Sequence, residues 1–241
     1  MSQFMSDVQE AGRQLRPCFT ASGVRRGMIE IMPVAAFLVP FGIAFGVAAS
    51  AKGVQADVSL LMSIVVFAGA AQFAVLDLWT APLPLLTIAL TVLAVNARHL
   101  LLGAALAPWL LQVPLARRVL ALLPLSDANF AYATAAKDRG EVDAGILLGS
   151  GIAMWLIWIA GTAVGAFAGA SLGDLSYFGF DAVMLTYFAA IVVGQWKGRL
   201  DLVPWLCAAV VASAGSYLLP AGWHIIAGAL AGGLVGAWRH G

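Results

Sequence analysis

Charged residues are scarce in this sequence, because Asp, Glu, Lys and Arg make up only 10% of its 241 residues. An ordinary soluble domain carries about 25% charged residues, which keep its surface in contact with water. Apolar residues make up 62% of the chain, more than a soluble fold of this length can bury behind so few charges. The composition therefore excludes an ordinary soluble domain and predicts a protein that lies in a lipid bilayer.

Cysteine and the common enzyme motifs are also lacking. Cys18 and Cys207 are the two cysteines, which are too few for a disulfide framework or a zinc site. The net charge of +1 gives no basic patch for nucleic acid. The sequence has no HExxH and no GxxxxGK[ST] motif, so metalloprotease and P-loop chemistry are not expected. We therefore expect no metal, no cofactor, no nucleic-acid partner and no enzymatic activity.

Long apolar segments are what the chain has in abundance, and roughly 20 apolar residues cross a bilayer as a helix. Two further segments, Leu83–Leu111 and Val119–Ala136, are apolar but interrupted by polar residues, so we expect broken or re-entrant helices there. The prediction is an all-α polytopic membrane protein, with a cytoplasmic arm over residues 1–27 and one transmembrane transport domain over residues 28–239. The six predicted full spans are Met28–Ala51, Val58–Leu78, Ile146–Ala170, Val183–Gly194, Val203–Leu219 and Ile225–Trp238.

The distribution of Lys and Arg predicts the orientation, since cytoplasmic loops carry an excess of both. If the N-terminus is inside and both interrupted segments return to their starting side, 11 of the 13 Lys and Arg residues lie inside. Both termini are then cytoplasmic. If both interrupted segments cross, the termini stay inside and only Arg117 and Arg118 move outside. Charge counting leaves that version with eight crossings open.

Small residues recur at helical spacing in three of the predicted spans. Glycines lie four apart in each of three sets: Gly42 and Gly46; Gly161, Gly165 and Gly169; and Gly228, Gly232 and Gly236. Residues four apart share one helix face and allow two backbones to approach closely. We expect these faces to pack against helices of the same chain, with docking of another membrane subunit as the alternative.

Polar residues at membrane depth are functional candidates because they are costly to place there. Arg98 and His99 lie between the two apolar arms of Leu83–Leu111. An arginine at that depth needs an anion, backbone carbonyls or water, and a histidine can titrate near physiological pH. We predict that Arg98 binds a substrate carboxylate and that His99 carries a proton. The alternatives are a buried structural network and an Arg98 side chain that extends to the membrane interface.

The other polar candidates have structural alternatives as well. Asp127 can pair with Arg98 or carry a proton, but it can equally cap a helix. Glu30 is a coupling site or an interfacial carboxylate, and Gln72 bonds to a substrate or to a neighbouring helix. Because the ends of broken helices often hold substrate charges, a zwitterionic amino acid fits this set. The predicted substrate-binding or coupling residues are Arg98, His99, Asp127, Asn96, Gln72, Asn129 and Glu30.

Four motifs follow one another in a specific order. They are ExxPx6P with FGxAFG at Glu30–Gly46, FAGAAQF at Phe67–Phe73, LTVLAVNARHLLLG at Leu90–Gly103 and LSDANFA at Leu125–Ala131. On these motifs the chain resembles the AzlC family, also called YgaZ-like, which is the large subunit of bacterial branched-chain amino acid exporters. The resemblance covers about Gly27–Ala136. It is specific because four ordered motifs coincide.

The resemblance implies export of valine, leucine or isoleucine, with methionine as a further candidate, across the bacterial cytoplasmic (inner) membrane. It also implies a small AzlD-like membrane partner, and we expect the proton motive force to drive transport. Some relatives have Asp where Asn96 stands, or an acidic residue where Ala128 stands, so the remaining titratable candidates are Glu30, Asp127 and His99. The alternatives are a carrier of another small zwitterion or acid, and a non-catalytic membrane scaffold. The family's polar motif positions fall on Glu30, Gln72, Asn96, Arg98, His99 and Asp127.

Overall fold

The computed structural model describes residues 18–172, 189, 193, 198–219 and 223–240. Within these ranges the regular secondary structure is helical, apart from one isolated parallel bridge between Cys18 and Asp143. The all-α prediction is therefore confirmed for the described part. Most of the predicted span Val183–Gly194 and most of the predicted N-terminal arm lie outside it.

Twelve α-helices and one short 3-10 helix follow one another along the described residues, and each is numbered in chain order. The 3-10 helix is Arg199–Asp201 and leads directly into α11. The α-helices are α1 (Ala21–Glu30), α2 (Met32–Ala36), α3 (Leu38–Ala51), α4 (Ala56–Val65), α5 (Gly69–Asp77), α6 (Leu85–Asn96), α7 (Arg98–Leu110), α8 (Leu115–Leu122), α9 (Asp127–Asp138), α10 (Gly145–Leu172), α11 (Leu202–Leu218) and α12 (Trp223–His240).

The chain divides into two compact units. The first unit comprises Met1–Val39 and Arg98–Ala160, and the second comprises Pro40–Ala97 and Gly161–Gly241. The first unit therefore contains α1, α2, α7, α8, α9 and the first part of α10. The second contains α4, α5, α6, α11, α12, most of α3 and the last part of α10.

The core of the first unit forms where α7, α9 and α10 present apolar side chains to one another. Close helix contact adds to this core: a methyl group placed on Gly149 of α10 would overlap the carbonyl of Val24 in α1. Only glycine allows the two helices to approach so closely. The largest buried residues of the core are Leu106, Trp109, Leu110, Ile146 and Leu147, each at most 4% exposed.

Small residues also determine helix contacts in the second unit. Gly165 of α10 lies directly against the backbone of Ile43 in α3, and Gly228 of α12 lies against Ala208 and Ala212 of α11. At these positions the expected packing against helices of the same chain is confirmed. Glycine backbones can approach closely because no Cβ separates them.

The two segments that the sequence marks as interrupted differ in the structure. Helix α6 ends at Asn96 and α7 begins at Arg98, but Ala97 between them keeps a right-handed helical backbone with φ −54° and ψ −28°, so the first segment is interrupted at one residue without a change of backbone conformation. Helix α8 ends at Leu122, and α9 begins at Asp127 after Pro124 and the extended Ser126. The second segment is therefore broken, as the sequence predicted.

One predicted span is wrong as a continuous helix. The segment Val58–Leu78 was expected to cross as one helix, but α4 ends at Val65 and α5 begins at Gly69. Between them Phe67 has φ 40°, and Ala68 has φ −140°. A left-handed residue followed by an extended one cannot continue a right-handed helix. The chain therefore has a third helix break, which lies inside the FAGAAQF motif.

Four segments of the described part are long and apolar enough to cross a membrane. Three of them overlap predicted full spans, and the fourth contains the break at Arg98. By length and composition that interrupted segment is therefore able to cross as one unit. The total of six full spans and the cytoplasmic termini stay predictions. The four segments are Met32–Ala51, Leu85–Leu110, Gly145–Gly169 and Arg199–Leu218.

Candidate functional site

The structure brings together two of the predicted site residues, Arg98 and Asp127. Each is the first residue of its helix, Arg98 in α7 and Asp127 in α9. The Arg98 Nη1 atom lies 2.9 Å from Asp127 Oδ2, and the two side chains are 27% and 53% exposed. The pairing that the sequence offered as one alternative for Asp127 is confirmed. The ion pair lies within the first unit.

A capping box places Asp127 at the start of α9. Ser126 is extended, with φ −142° and ψ 167°, and its hydroxyl accepts a hydrogen bond from the Asn129 backbone N–H. The Asn129 Oδ1 atom accepts from the Ser126 N–H at 2.7 Å. This reciprocal arrangement begins a helix at a defined residue. It holds the Asp127 carboxylate in the first turn, where the helix dipole stabilises negative charge.

The structure gives Asn129 a structural role in this cap. Its side chain is fully buried, and Nδ2 donates to the carbonyls of Pro124 at 3.0 Å and Leu147 at 3.4 Å. The amide thus uses both of its N–H donors on the backbone. The substrate contact predicted for Asn129 stays a prediction, because these contacts account for the burial of the side chain without a ligand.

The electrostatic setting of Arg98 makes it suited to anion binding. The carboxylate of Asp127 compensates the positive charge of Arg98, which is costly to hold alone at membrane depth. A guanidinium has five N–H donors. Among the residues that the structure describes, the Nε of Arg98 is buried and has no hydrogen-bond acceptor. Donors therefore remain for a second anion such as a carboxylate.

The remaining residues of the NARH stretch lie at the same helix break. Asn96 is the last residue of α6, in the second unit, and His99 is the second residue of α7, in the first unit. Both are half-buried. Their placement at the break is confirmed, and their roles in coupling stay predictions.

Gln72 belongs to a buried polar network of the second unit. Its Nε2 donates to Ser63 Oγ at 3.0 Å, and Ser63 Oγ lies 2.9 Å from Thr162 Oγ1. All three side chains are at most 1% exposed. The network connects α4, α5 and α10, so the bond to a neighbouring helix that the sequence offered for Gln72 is confirmed.

Glu30 forms a second polar cluster in the first unit, together with Arg26, Tyr132 and Glu141. Its Oε2 accepts a hydrogen bond from the Tyr132 hydroxyl at 2.7 Å, and its Oε1 lies 4.0 Å from Arg26 Nε. Arg26 also forms an ion pair with Glu141. Tyr132 donates its hydrogen bond to Glu30 as a neutral hydroxyl.

These four residues line a cavity of about 330 Å³, which we call the Glu30 cavity. Its other lining residues are Ala136, Arg139, Gly140 and Ile146. Among the described residues, no three His, Cys, Asp or Glu side chains are grouped closely enough to hold a metal ion. The charged side chains and the Tyr132 hydroxyl provide most of the chemistry of this cavity.

Sequence reasoning missed the residues around Glu30, and only one local signal could have pointed to any of them. Arg26 and Glu30 are four residues apart on α1, a spacing that places opposite charges side by side on a helix. Tyr132 and Glu141 are more than a hundred residues further along the chain. No local pattern predicts that they meet Glu30 and Arg26.

Asp143 fixes the start of α1 to the start of α10. Its carboxylate accepts hydrogen bonds from the Thr20 N–H at 3.1 Å, from the Thr20 hydroxyl and from the Gly145 N–H at 2.9 Å. Thr20 is also the N-cap of α1. The adjacent Cys18 N–H donates to the Val142 carbonyl at 2.9 Å. Together these contacts hold the chain ahead of α1 against the α9–α10 turn.

Comparison with known proteins finds relatives that are named as membrane or transport proteins. The family model described as AzlC protein matches residues 33–172, more than half of the chain. The inner membrane protein YgaZ of Escherichia coli (strain K12) is 31% identical over 149 residues, which are 61% of this chain and 61% of YgaZ. An uncharacterized membrane protein of Archaeoglobus fulgidus is 29% identical over 218 residues, which are 89% of this chain and 94% of that protein.

A further relative is named by its transport function. The branched-chain amino acid transport protein AzlC of Bacillus subtilis (strain 168) is 26% identical over 166 residues, which are 68% of this chain and 65% of that protein. The chain thus covers less than two thirds of the length of both YgaZ and the Bacillus protein. No solved structure matches it. The family match, the membrane-protein relatives and the four apolar segments show that this chain is a membrane protein of the AzlC family.

Proposed function

We propose that this chain is the large subunit of a secondary transporter that exports branched-chain amino acids across the bacterial cytoplasmic membrane. The observation that carries the proposal is the ion pair between Arg98 and Asp127, which joins the first residues of two helices. A relative named as a branched-chain amino acid transport protein supports the substrate class. Valine, leucine, isoleucine and methionine are the proposed substrates.

The ion pair provides a way to bind a zwitterion without leaving a charge unpaired. The substrate carboxylate replaces Asp127 at the guanidinium of Arg98, and the substrate ammonium binds the carboxylate that is released. A charge left alone at membrane depth is costly, so an exchange of partners has a lower barrier than simple separation. Release of the substrate restores the original pair. The same two residues thus bind both ends of the amino acid.

Protonation gives this exchange a connection to the proton motive force. A proton on Asp127 removes its negative charge, weakens its bond to Arg98 and leaves the guanidinium available to the substrate carboxylate. His99 follows Arg98 directly in α7, and a histidine can donate or accept a proton near physiological pH. In this mechanism Asp127 and His99 couple proton movement to export, and Glu30 is a third titratable group of the first unit.

A small AzlD-like membrane subunit is part of the proposal. Leu230, Leu234 and Trp238 are spaced four apart on α12, and they are 62%, 71% and 86% exposed. A contiguous apolar face of this kind has to be covered by lipid or by another protein. This exposed face of α12 supports the proposal that the chain functions within the membrane, and a partner subunit could bind there.

Efflux of labelled valine from preloaded cells tests the proposal. The chain is produced together with its partner subunit, and cells without either protein are the control. We expect efflux that depends on both proteins and falls when a protonophore removes the gradient. Absence of branched-chain amino acid efflux from cells that contain both proteins in the membrane would contradict the substrate class. It would favour a carrier of another small zwitterion or acid, or a scaffold.

A further inference from the structure

We propose that the Glu30 cavity is a second binding site for the transported amino acid, with the carboxylate at Arg139 and the ammonium at Glu30. The inference rests on the proposed transport function and adds a site that is separate from the Arg98–Asp127 pair. The cavity lies entirely within the first unit. Three of its properties support the assignment: its charges, its walls and its place on α9.

The charges that line the cavity match a zwitterion. Two are positive, Arg26 and Arg139, and two are negative, Glu30 and Glu141. Arg26 and Glu141 form a direct ion pair with each other, which leaves one cation and one anion. The Arg139 guanidinium makes no hydrogen bond or ion pair with any residue that the structure describes, and Glu30 is bound mainly by the neutral hydroxyl of Tyr132. A ligand with one charge of each sign satisfies both.

The walls and the size of the cavity suit a small charged molecule. Ala136 and Ile146 line it but are only 6% and 1% exposed, so its surface comes mainly from polar and charged side chains. Ligand sites commonly enclose about 300–1,000 Å³. A cavity of about 330 Å³ therefore has room for a molecule the size of valine or leucine.

The cavity lies at the opposite end of α9 from Asp127, so the same helix connects the two proposed binding sites. Asp127 is the first residue of α9 and Arg139 is its C-cap, so one helix carries a residue of each site. Twelve residues separate them in the numbering of the chain, about 18 Å along a helix. The cavity is half open, because the side chains of Arg26 and Glu30 are 46% and 49% exposed. The substrate would bind here first and then move along α9 to the ion pair.

A structural role for Arg139 makes a different prediction. A cation at the C-terminus of a helix is stabilised by the helix dipole, so the structural alternative is that Arg139 only supports α9. In that case its loss would lower the stability of the protein and leave substrate affinity unchanged. In the proposed role the reverse holds, because the guanidinium has no protein partner to lose among the described residues.

Thermal unfolding of the purified protein in detergent separates the two roles. We expect L-valine to raise the unfolding temperature of the wild type and of Arg25→Gln, a control in which an exposed arginine outside the cavity is replaced. In Arg139→Gln the unfolding temperature without ligand should equal that of the wild type, and the response to L-valine should be smaller, because the Arg98–Asp127 site remains. In the double variant Arg98→Gln, Arg139→Gln the response should be lost, whereas Arg98→Gln alone should keep the part that comes from the cavity. Isovalerate and isobutylamine, which lack the ammonium and the carboxylate respectively, should give no shift.

Efflux measurements complete the test. In Arg139→Gln and Glu30→Gln we expect the internal valine concentration for half-maximal efflux to rise about tenfold, the effect of losing one bond to a charged group, with the maximal rate unchanged. If both variants match the wild type in affinity and in the thermal response, the second site is wrong and the transporter remains. If the wild type exports no valine, the proposed function fails, and the thermal response to valine alone decides whether the cavity is a site. A response that is as large in Arg139→Gln as in the wild type would overturn it.

Discussion

Replacement of Arg98 by glutamine is the most direct test of the ion pair as a substrate site. Gln keeps a polar side chain of similar length but removes the charge and the forked donors. The Nη1 atom of Arg98 lies 2.9 Å from Asp127, whose side chain is 53% exposed. Hydrogen bonds to charged groups contribute about 1.5–3 kcal/mol. The exposure of Asp127 places this bond near the lower end, at about 1.5 kcal/mol, because solvent weakens exposed pairs.

A loss of about 1.5 kcal/mol corresponds to about a tenfold change in an equilibrium constant. We therefore expect the internal valine concentration for half-maximal efflux to rise at least about tenfold in Arg98→Gln. We expect the maximal rate to fall as well, because the pair cannot re-form after release. Arg98→Lys should be intermediate, since it keeps the charge without the planar fork. Efflux is measured from preloaded cells that contain equal membrane amounts of each variant.

The matched control is Arg25→Gln, because Arg25 is exposed and lies outside both proposed sites. It should export valine as the wild type does. The mechanism is refuted if Arg98→Gln reaches the membrane in normal amounts and exports valine with wild-type affinity and rate. In that case Arg98 would be a structural residue, and the substrate would bind elsewhere.

Three further predictions concern stability and reactivity. Asn129→Ala removes one half of the capping box of α9 and takes the Asn129 donor away from the buried Pro124 carbonyl, so the free energy of unfolding in detergent should fall by about 2 kcal/mol. An unchanged unfolding temperature would contradict this. Gly149→Ala places a methyl group against an α1 carbonyl and should lower the free energy of unfolding by about 1–3 kcal/mol. The control is Gly103→Ala in α7, where the added methyl group meets open space, so the free energy of unfolding should be unchanged or slightly higher. Burial and the negative charge of the neighbouring Asp143 carboxylate raise the pKa of Cys18. In a Cys207→Ser background, the rate of Cys18 alkylation by N-ethylmaleimide should therefore be lower at pH 7 than the rate for a free thiol, and it should continue to increase at pH values above the usual thiol pKa. Fast alkylation at pH 7 would be inconsistent with a raised pKa.

The helix breaks show how far local sequence patterns reach. The breaks before Arg98 and Asp127 were predicted because polar residues and Pro124 interrupt apolar runs, which is a local signal. The break at Phe67 was missed because its neighbours are apolar or small and give no such signal. A φ of 40° at Phe67 is opposed by the side chain itself, so contacts with the rest of the fold have to hold it.

For the candidate site residues too, local sequence patterns predicted which residues matter, and only the structure showed what they contact. The sequence identified Arg98, Asp127 and Glu30 because polar residues in apolar segments are conspicuous. It offered several partners or roles for each of them. Only the structure shows that Arg98 pairs with Asp127 and that Glu30 binds Tyr132, 102 residues away.

The sequence by itself determined that this chain lies in a membrane, that it is helical and that its motifs resemble the AzlC family. Those properties depend on composition, on apolar length and on short ordered motifs, all of which can be read locally. The tertiary structure decided which polar residues meet, where the helix break within the segment Val58–Leu78 lies and which residues enclose the Glu30 cavity. These depend on contacts between residues far apart in the chain, and such contacts form only when helices such as α1, α9 and α10 pack together.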